Sequence, residues 1–186
     1  GILLTIGALI IIGTLLFNIP GGAQTVVEIG LRDDKFSLGS FTLNTFSEPT
    51  FWVILLYGIF INLTNFGMDQ NYVQRYHAAP SQKEASKSVW MCVWLYVPIS
   101  LLFFIIGVCL YAYYQVNPAM LDTVKNQVLS DATYGLKDAA ALTAADYGDK
   151  VLPHYMVTHI PSGIVGVIIS AILSAAMSTI SSGMNA

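Results

Sequence analysis

Residues 51–79 read FWVILLYGIFINLTNFGMDQNYVQRYHAA, and this stretch decides the fold class. From Phe51 to Met68 it holds no Asp, Glu, Lys or Arg, yet Asn62, Thr64 and Asn65 sit inside the apolar run, bracketed by Gly58 and Gly67. Crossing a hydrocarbon core takes about 20 mostly apolar residues, which this run approaches. Polar side chains persist at that depth only where protein, water or a ligand meets them. Neighbouring glycines permit the backbone to unwind, and unwound backbone is tolerated there only where it lines a cavity. Broken helices at the midplane are a recurring device of transporters. Two readings of Asn62 and Asn65 stay open at this point: groups lining a site, or hydrogen-bonding glue between helices.

Three further runs share the absence of charge. Residues 1–19 are interrupted only by Thr5, Thr14 and Asn18. Residues 89–114 end in Tyr111, Tyr113 and Tyr114, as an interfacial aromatic belt would. Residues 161–186 open on Pro161, a natural first-turn residue. Composition agrees: of 186 residues, 55% are hydrophobic and 10% charged, with a net charge of −3. Soluble domains carry roughly 25% charged residues, so their surface could not be covered here. Disorder and a basic nucleic-acid surface are excluded as well. Cys92 and Cys109 make neither a disulfide framework nor a four-ligand metal site. The expectation is an all-α membrane protein with spans at about 1–19, 51–68, 89–114 and 161–186, all within one transmembrane domain. The chain opens without Met or a signal-peptide pattern and stops inside a small-residue stretch, so it is expected to be an internal piece of a longer polytopic chain.

Charge in the connections sets orientation. Residues 20–50 carry two basic and four acidic residues, and 115–160 carry three basic and five acidic ones. The short connection 69–88 holds Arg75, Lys83 and Lys87 against Asp69 and Glu84, the one loop with more basic than acidic residues. The positive-inside rule then places 69–88 in the cytoplasm and the two longer loops outside. PGGAQ at 20–24 reads as a turn. Residues 37–46 read as an alternating or a short amphipathic segment. Short helices are expected near 118–129 and 135–147, with 149–153 leading back to the membrane. Asp69 at the span boundary reads as a latch toward Arg75 or as a solvated flanking charge.

The last run carries Ser170, Ser174, Ser178, Thr179, Ser181 and Ser182 among alanines and Gly183. Small residues allow close helix packing. The hydroxyls, together with the Ala175 carbonyl, are also hard, neutral oxygen donors. Calcium sites recruit carboxylates, and none lies in this run, so a singly charged cation, sodium, is the natural candidate. No nucleophile elbow, phosphate loop or span histidine suggests an enzyme.

Two motifs in order, FGMDQNYVQRYHAA at 66–79 and IPSGIVGVIISAILSAAMSTISSGMNA at 160–186, resemble the sodium/solute symporter family. The resemblance implies core helices five to eight of a ten-helix inverted-repeat fold, and sodium as a co-transported ion rather than a resident cofactor. It places Ala175, Ser178 and Thr179 at the family's sodium site, with Thr179 replacing the commoner Ser and keeping the oxygen. Ser181 and Ser182 fall near the second sodium site of some members. Asn62 matches a sugar-contacting asparagine of sugar-transporting relatives. Asn65 and Tyr96 stand where those relatives have an aromatic gate and a lysine, which points toward the non-sugar branches. The implied function is sodium-driven symport of a small organic solute or anion in a multi-pass cell membrane protein, as in a bacterial inner membrane. The implied partners are sodium, the solute, the bilayer and the remaining helices of the same chain. A sensor or binding module reusing the fold without net transport is the alternative.

Overall fold

The computed structural model describes residues 2–42, 50–130 and 142–184, and among them every regular element is a helix. In order these are α1 (Ile2–Asn18), α2 (Ala23–Arg32), α3 (Phe51–Gly67), α4 (Gln70–His77), α5 (Gln82–Val116), α6 (Pro118–Ser130), α7 (Ala144–His159) and α8 (Ser162–Met184). By length and composition α5 and α8 could each cross a membrane. α1 and α2 pass the same test only as a pair bent by 89°, and α3 is a shorter apolar helix. The chain divides into two compact units, Gly1–Lys35 with Ile99–Ser174, and Phe36–Pro98 with Ala175–Ala186.

The first unit owns the hydrophobic core. Ala8, Ile11 and Leu15 form a buried stripe along α1, spaced as one helix face. They join Ile106, Cys109 and Leu110 of α5, Met156 of α7, and Val165 and Ile168 of α8. Gly7 permits the close approach of α1 and α8, since a Cβ there would lie 3.0 Å from Ile168 Cγ1. After α1, Gly21 and Gly22 take φ values of 82° and 54°, a left-handed turn that other residues enter only at a cost. The Thr25 hydroxyl donates to the Pro20 carbonyl at 2.6 Å and closes that turn. The expected turn at 20–24 is therefore present, but it leads into a helix that was not expected. α2 forms because Val26, Ile29 and Gly30 share a face and bury it. Its end is tied to α5 by Asp33, which accepts from Arg32 (2.8 and 3.0 Å) and from the Tyr111 hydroxyl (2.9 Å). Arg32 first, and Tyr111 next, hold the Asp33 carboxyl down at about 2.

Tyr113 and Tyr114, expected in an interfacial belt, are instead 3% and 4% exposed. They form the seat for α7. The Tyr113 hydroxyl pairs with His159 Nε2 at 2.9 Å, and its ring meets Tyr155 edge-on at 5.0 Å. The Tyr114 hydroxyl donates to the Val151 carbonyl at 3.1 Å and lies 3.0 Å from His154 Nδ1. Tyr155 is fully buried, stacks on His159 at 4.7 Å and accepts from Asn18 at 3.3 Å. The helix expected near 118–129 is α6. Of the one expected at 135–147, residues 135–141 lie outside the described residues, as do 131–134; α7 begins at Ala144 and runs to His159 through the residues read as a return to the membrane. Asp146 explains the start, because its carboxylate accepts from the Thr143 N–H (2.9 Å) and hydroxyl (2.7 Å).

The second unit is held by local ties. The Phe51 N–H donates to the Ser40 carbonyl at 2.9 Å, and Trp52 Nε1 donates to the Phe41 carbonyl at 3.2 Å. Residues 43–46 of the segment read as alternating or amphipathic lie outside the described residues; 37–42 form no helix or strand. α3 buries no residue. Gly58 and Gly67 would permit unwinding, but α3 is helical throughout that stretch. Asn62 Nδ2 donates to the Gly58 carbonyl at 2.7 Å and the Thr64 hydroxyl to the Phe60 carbonyl at 3.0 Å. These bonds one turn back satisfy the polar protons without opening the helix. The break comes at Met68–Asp69, whose N–H groups both donate to the Thr64 carbonyl (2.9 and 3.1 Å). α5 starts earlier than residue 89, where Ser81 Oγ accepts from the Glu84 N–H at 3.3 Å as a cap.

Two outcomes follow for the seat of α7. Truncating a fully buried aromatic side chain costs about 3–5 kcal/mol, so Tyr155→Ala should lower the melting temperature of the purified full-length protein sharply, and Tyr155→Phe much less. Burial, then the nearby His159, lowers the pKa of His154 from its ordinary value. The unfolded segment therefore takes up a proton more readily than the docked one, and docking is strongest above pH ~6.5 and weakens below it. The protection of amides in 144–159, measured against the intrinsic exchange rate at each pH, should fall from pH 7.5 to 5.5, and His154→Gln should flatten that dependence.

Candidate functional site

Polar groups of the second unit converge on one cleft of about 400 Å³. The end of α3 supplies Asn65, the break supplies Asp69, and α4 supplies Asn71 and Tyr72. α8 supplies Ser178, Thr179 and Ser182, which recur at helical spacing and so share a face. Asp69 adopts extended backbone, with φ −66° and ψ 121°, and its Oδ1 accepts from the Asn71 N–H at 2.8 Å. It is thus the cap of α4, which fixes the carboxylate at the edge of the cleft. The Thr179 hydroxyl donates to the Ala175 carbonyl at 3.0 Å. The Ser182 hydroxyl donates to Asn71 Oδ1 at 3.2 Å.

A hydroxyl has one proton and two lone pairs. With the proton spent on a carbonyl or amide oxygen, the lone pairs of Thr179 and Ser182 are left as acceptors. Ser178 makes no side-chain hydrogen bond among the described residues. The Ala175 carbonyl, inside the same helix, accepts the Thr179 hydroxyl in addition to the N–H one turn on. The cleft therefore offers several neutral oxygens and one carboxylate, a donor set suited to a hard cation of low charge. Among the described residues no three His, Cys, Asp or Glu side chains gather as a metal cluster.

The expected ion ligands Ser178, Thr179 and Ser182 are thus brought together, with Ala175 one turn back on the same helix. The expected solute contacts are not assembled. Asn65 lines this cleft, whereas Asn62 lines a second one of about 660 Å³ between α3 and Ser37–Leu38, walled by Phe51, Ile54 and Leu55. Tyr96 lies on α5, 73% exposed and at neither cleft. Asn71 and Tyr72 were not expected here, and Asp69 was read only as a latch or a flanking charge. A short acidic side chain two residues after Gly67 is a helix-start signal, and it could have marked the break.

The family model of the sodium:solute symporter family matches residues 1–186. The sodium/sialic acid symporter SiaT of Proteus mirabilis is 32% identical over 185 residues, covering 100% of this chain and 33% of the relative. The sodium-dependent multivitamin transporter of Oryctolagus cuniculus is 28% identical over 170 residues, covering 89% of this chain and 23% of the relative. A solved substrate-bound, outward-open structure of a Na+-coupled sialic acid symporter superposes with a TM-score of 0.78 at 31% identity, covering 100% of this chain and 35% of that one. The chain spans about a third of the length of the sialic acid symporters it matches.

The cap on α4 gives a direct test of how the cleft is built. Replacing an N-cap Asp by Ala costs about 0.5–2 kcal/mol. Asp69→Ala should destabilise α4 by that order, read as faster amide exchange in 70–77, whereas Asp69→Ser should restore protection.

Proposed function

The chain belongs to the sodium:solute symporter family, and from that membership together with the oxygen-lined cleft we propose that it forms part of the core of a sodium-driven symporter. The whole protein carries a small organic solute or anion across the plasma membrane by alternating access. The observation that carries this reading is the convergence of Ser178, Thr179 and Ser182 with Asp69 at the break between α3 and α4. The relatives are transporters named for sialic acid, vitamins and monocarboxylates, which supports a small organic acid as the solute class.

In this reading sodium is cargo. Ala175, Ser178 and Thr179 supply a carbonyl and two hydroxyls, and Ser182 adds a further oxygen. Asn62 and Asn65 present amides one turn apart on α3, toward the solute path, and Tyr96 belongs to that path in the assembled protein. The uncharged runs 1–19, 51–68, 89–114 and 161–186 cross the bilayer, with 69–88 on the cytoplasmic side and 20–50 and 115–160 outside. The apolar side chains left bare on α3 and α5, Trp94 at 75% and Leu63 at 63% exposure among them, face lipid and the remaining helices of the same chain. Coupling requires that sodium bind one conformation more tightly than the other, since equal affinity would shift nothing. Carried one-to-one with a monoanion, sodium moves no net charge, so its concentration gradient supplies the drive: a tenfold gradient is worth about 1.4 kcal/mol, enough for roughly tenfold solute accumulation.

The test is uptake by the full-length protein in proteoliposomes, with radiolabelled sialic acid and lactate as probes. Imposing an inward sodium gradient should drive accumulation that potassium cannot. Ser178→Ala with Thr179→Ala should raise the sodium concentration for half-maximal uptake about tenfold or more while abundance holds, and Thr179→Ser should change it little. Unaltered sodium dependence in the double variant would reject the ion site, and uptake indifferent to sodium in the wild type would reject the function.

A further inference from the structure

We infer that Asn71 is a positioning residue for the ion, one that aims the Ser182 oxygen into the cleft and ties it to the break between α3 and α4; this rests on the sodium reading above. The side-chain protons of Ser170 and Thr179 go to carbonyls on their own helix, Gly166 at 2.8 Å and Ala175 at 3.0 Å. Ser182 departs from this pattern. Its hydroxyl reaches a residue 111 positions away in sequence, donating to Asn71 Oδ1 at 3.2 Å.

That departure has two physical effects. With its proton directed to Asn71, the Ser182 oxygen can offer only lone pairs to the cleft, which is the orientation a cation requires. A partner that orients a ligand and raises its basicity commonly governs metal affinity as strongly as the ligand does. The second effect is mechanical. The Asn71 N–H is bonded to Asp69 Oδ1 at 2.8 Å, and Asp69 is the residue at which the chain leaves α3 and enters α4. An ion drawing on Ser182 therefore pulls, through one side chain and one backbone amide, on the turn that sets the direction of α4. Thr179, bonded within α8, has no such connection. Asn71 thus assigns the two hydroxyls different tasks: Thr179 holds the ion on its helix, and Ser182 reports its presence to the break.

Radiolabelled sodium binding to the purified full-length protein reads this directly, because it needs no knowledge of the solute. Asn71→Leu removes the acceptor at similar volume and should weaken sodium binding about fivefold. Asn71→Asp keeps an acceptor oxygen and should bind at least as tightly as the wild type. Ser182→Ala should weaken binding to a similar extent, and Asn71→Leu added to it should weaken it little further, since both remove one linkage. Sodium affinity unmoved by Asn71→Leu, or two single effects that multiply in the double variant, would overturn the assignment while leaving sodium coupling intact. A wild-type protein that binds no sodium would overturn the functional reading itself and this inference with it.

Discussion

A hydroxyl or amide proton on an apolar helix has no water beside it and must find an acceptor within reach. Here the acceptor is usually a carbonyl a turn back on the same helix. Thr14 donates to Ile11, Asn18 to Thr14, Asn62 to Gly58, Thr64 to Phe60, Ser170 to Gly166 and Thr179 to Ala175. The habit keeps these helices continuous despite their polar content. It also leaves side-chain oxygens with their lone pairs turned outward, a passive arrangement that becomes useful wherever several such oxygens face one space. The cleft at the end of α3 is such a space, and the protons that leave their own helix, as at Ser182, give it connections that a regular helix would lack.

The two units solve different problems. In the first, aromatic rings and two histidines hold α7 on the end of α5, and the core around Leu15, Ala112 and Tyr155 is closed. His159 buries Nδ1 with no hydrogen-bond partner among the described residues. In the second, α3 buries nothing and the start of α5 leaves Trp90 and Trp94 bare. Apolar faces of that extent need apolar surroundings. Polar side chains inside the helices of this unit, such as Asn62 and Thr64, bond to their own backbone, while those at the break between α3 and α4 face the cleft.

Uncharged runs locate α1, α3, α8 and most of α5, because the absence of charge is a signal carried by every residue of such a run. Where that signal is missing, legibility falls. α2 and α7 are amphipathic, mixed in charge, and defined by what they dock against, so Tyr113 and Tyr114 read as a belt when they are a seat. Polar residues between glycines would permit an unwound α3, but Asn62 and Thr64 are satisfied locally and the helix holds until an acidic cap ends it. Ser178, Thr179 and Ser182 were visible as a spacing on one helix. Their neighbours Asp69 and Asn71 were not, because a bond spanning 111 residues leaves no periodic trace. Tyr96, singled out by position alone, has no geometry to join it to the rest.

The Thr143–Asp146 pairing at the start of α7 has a bearing on how such a chain can vary. Because Asp146 secures both the N–H and the hydroxyl of Thr143, α7 begins at a fixed point whatever precedes it. The bonds that set this start lie within the first turn of α7, so the register that seats Tyr155 is written into the helix and is not borrowed from the chain before it.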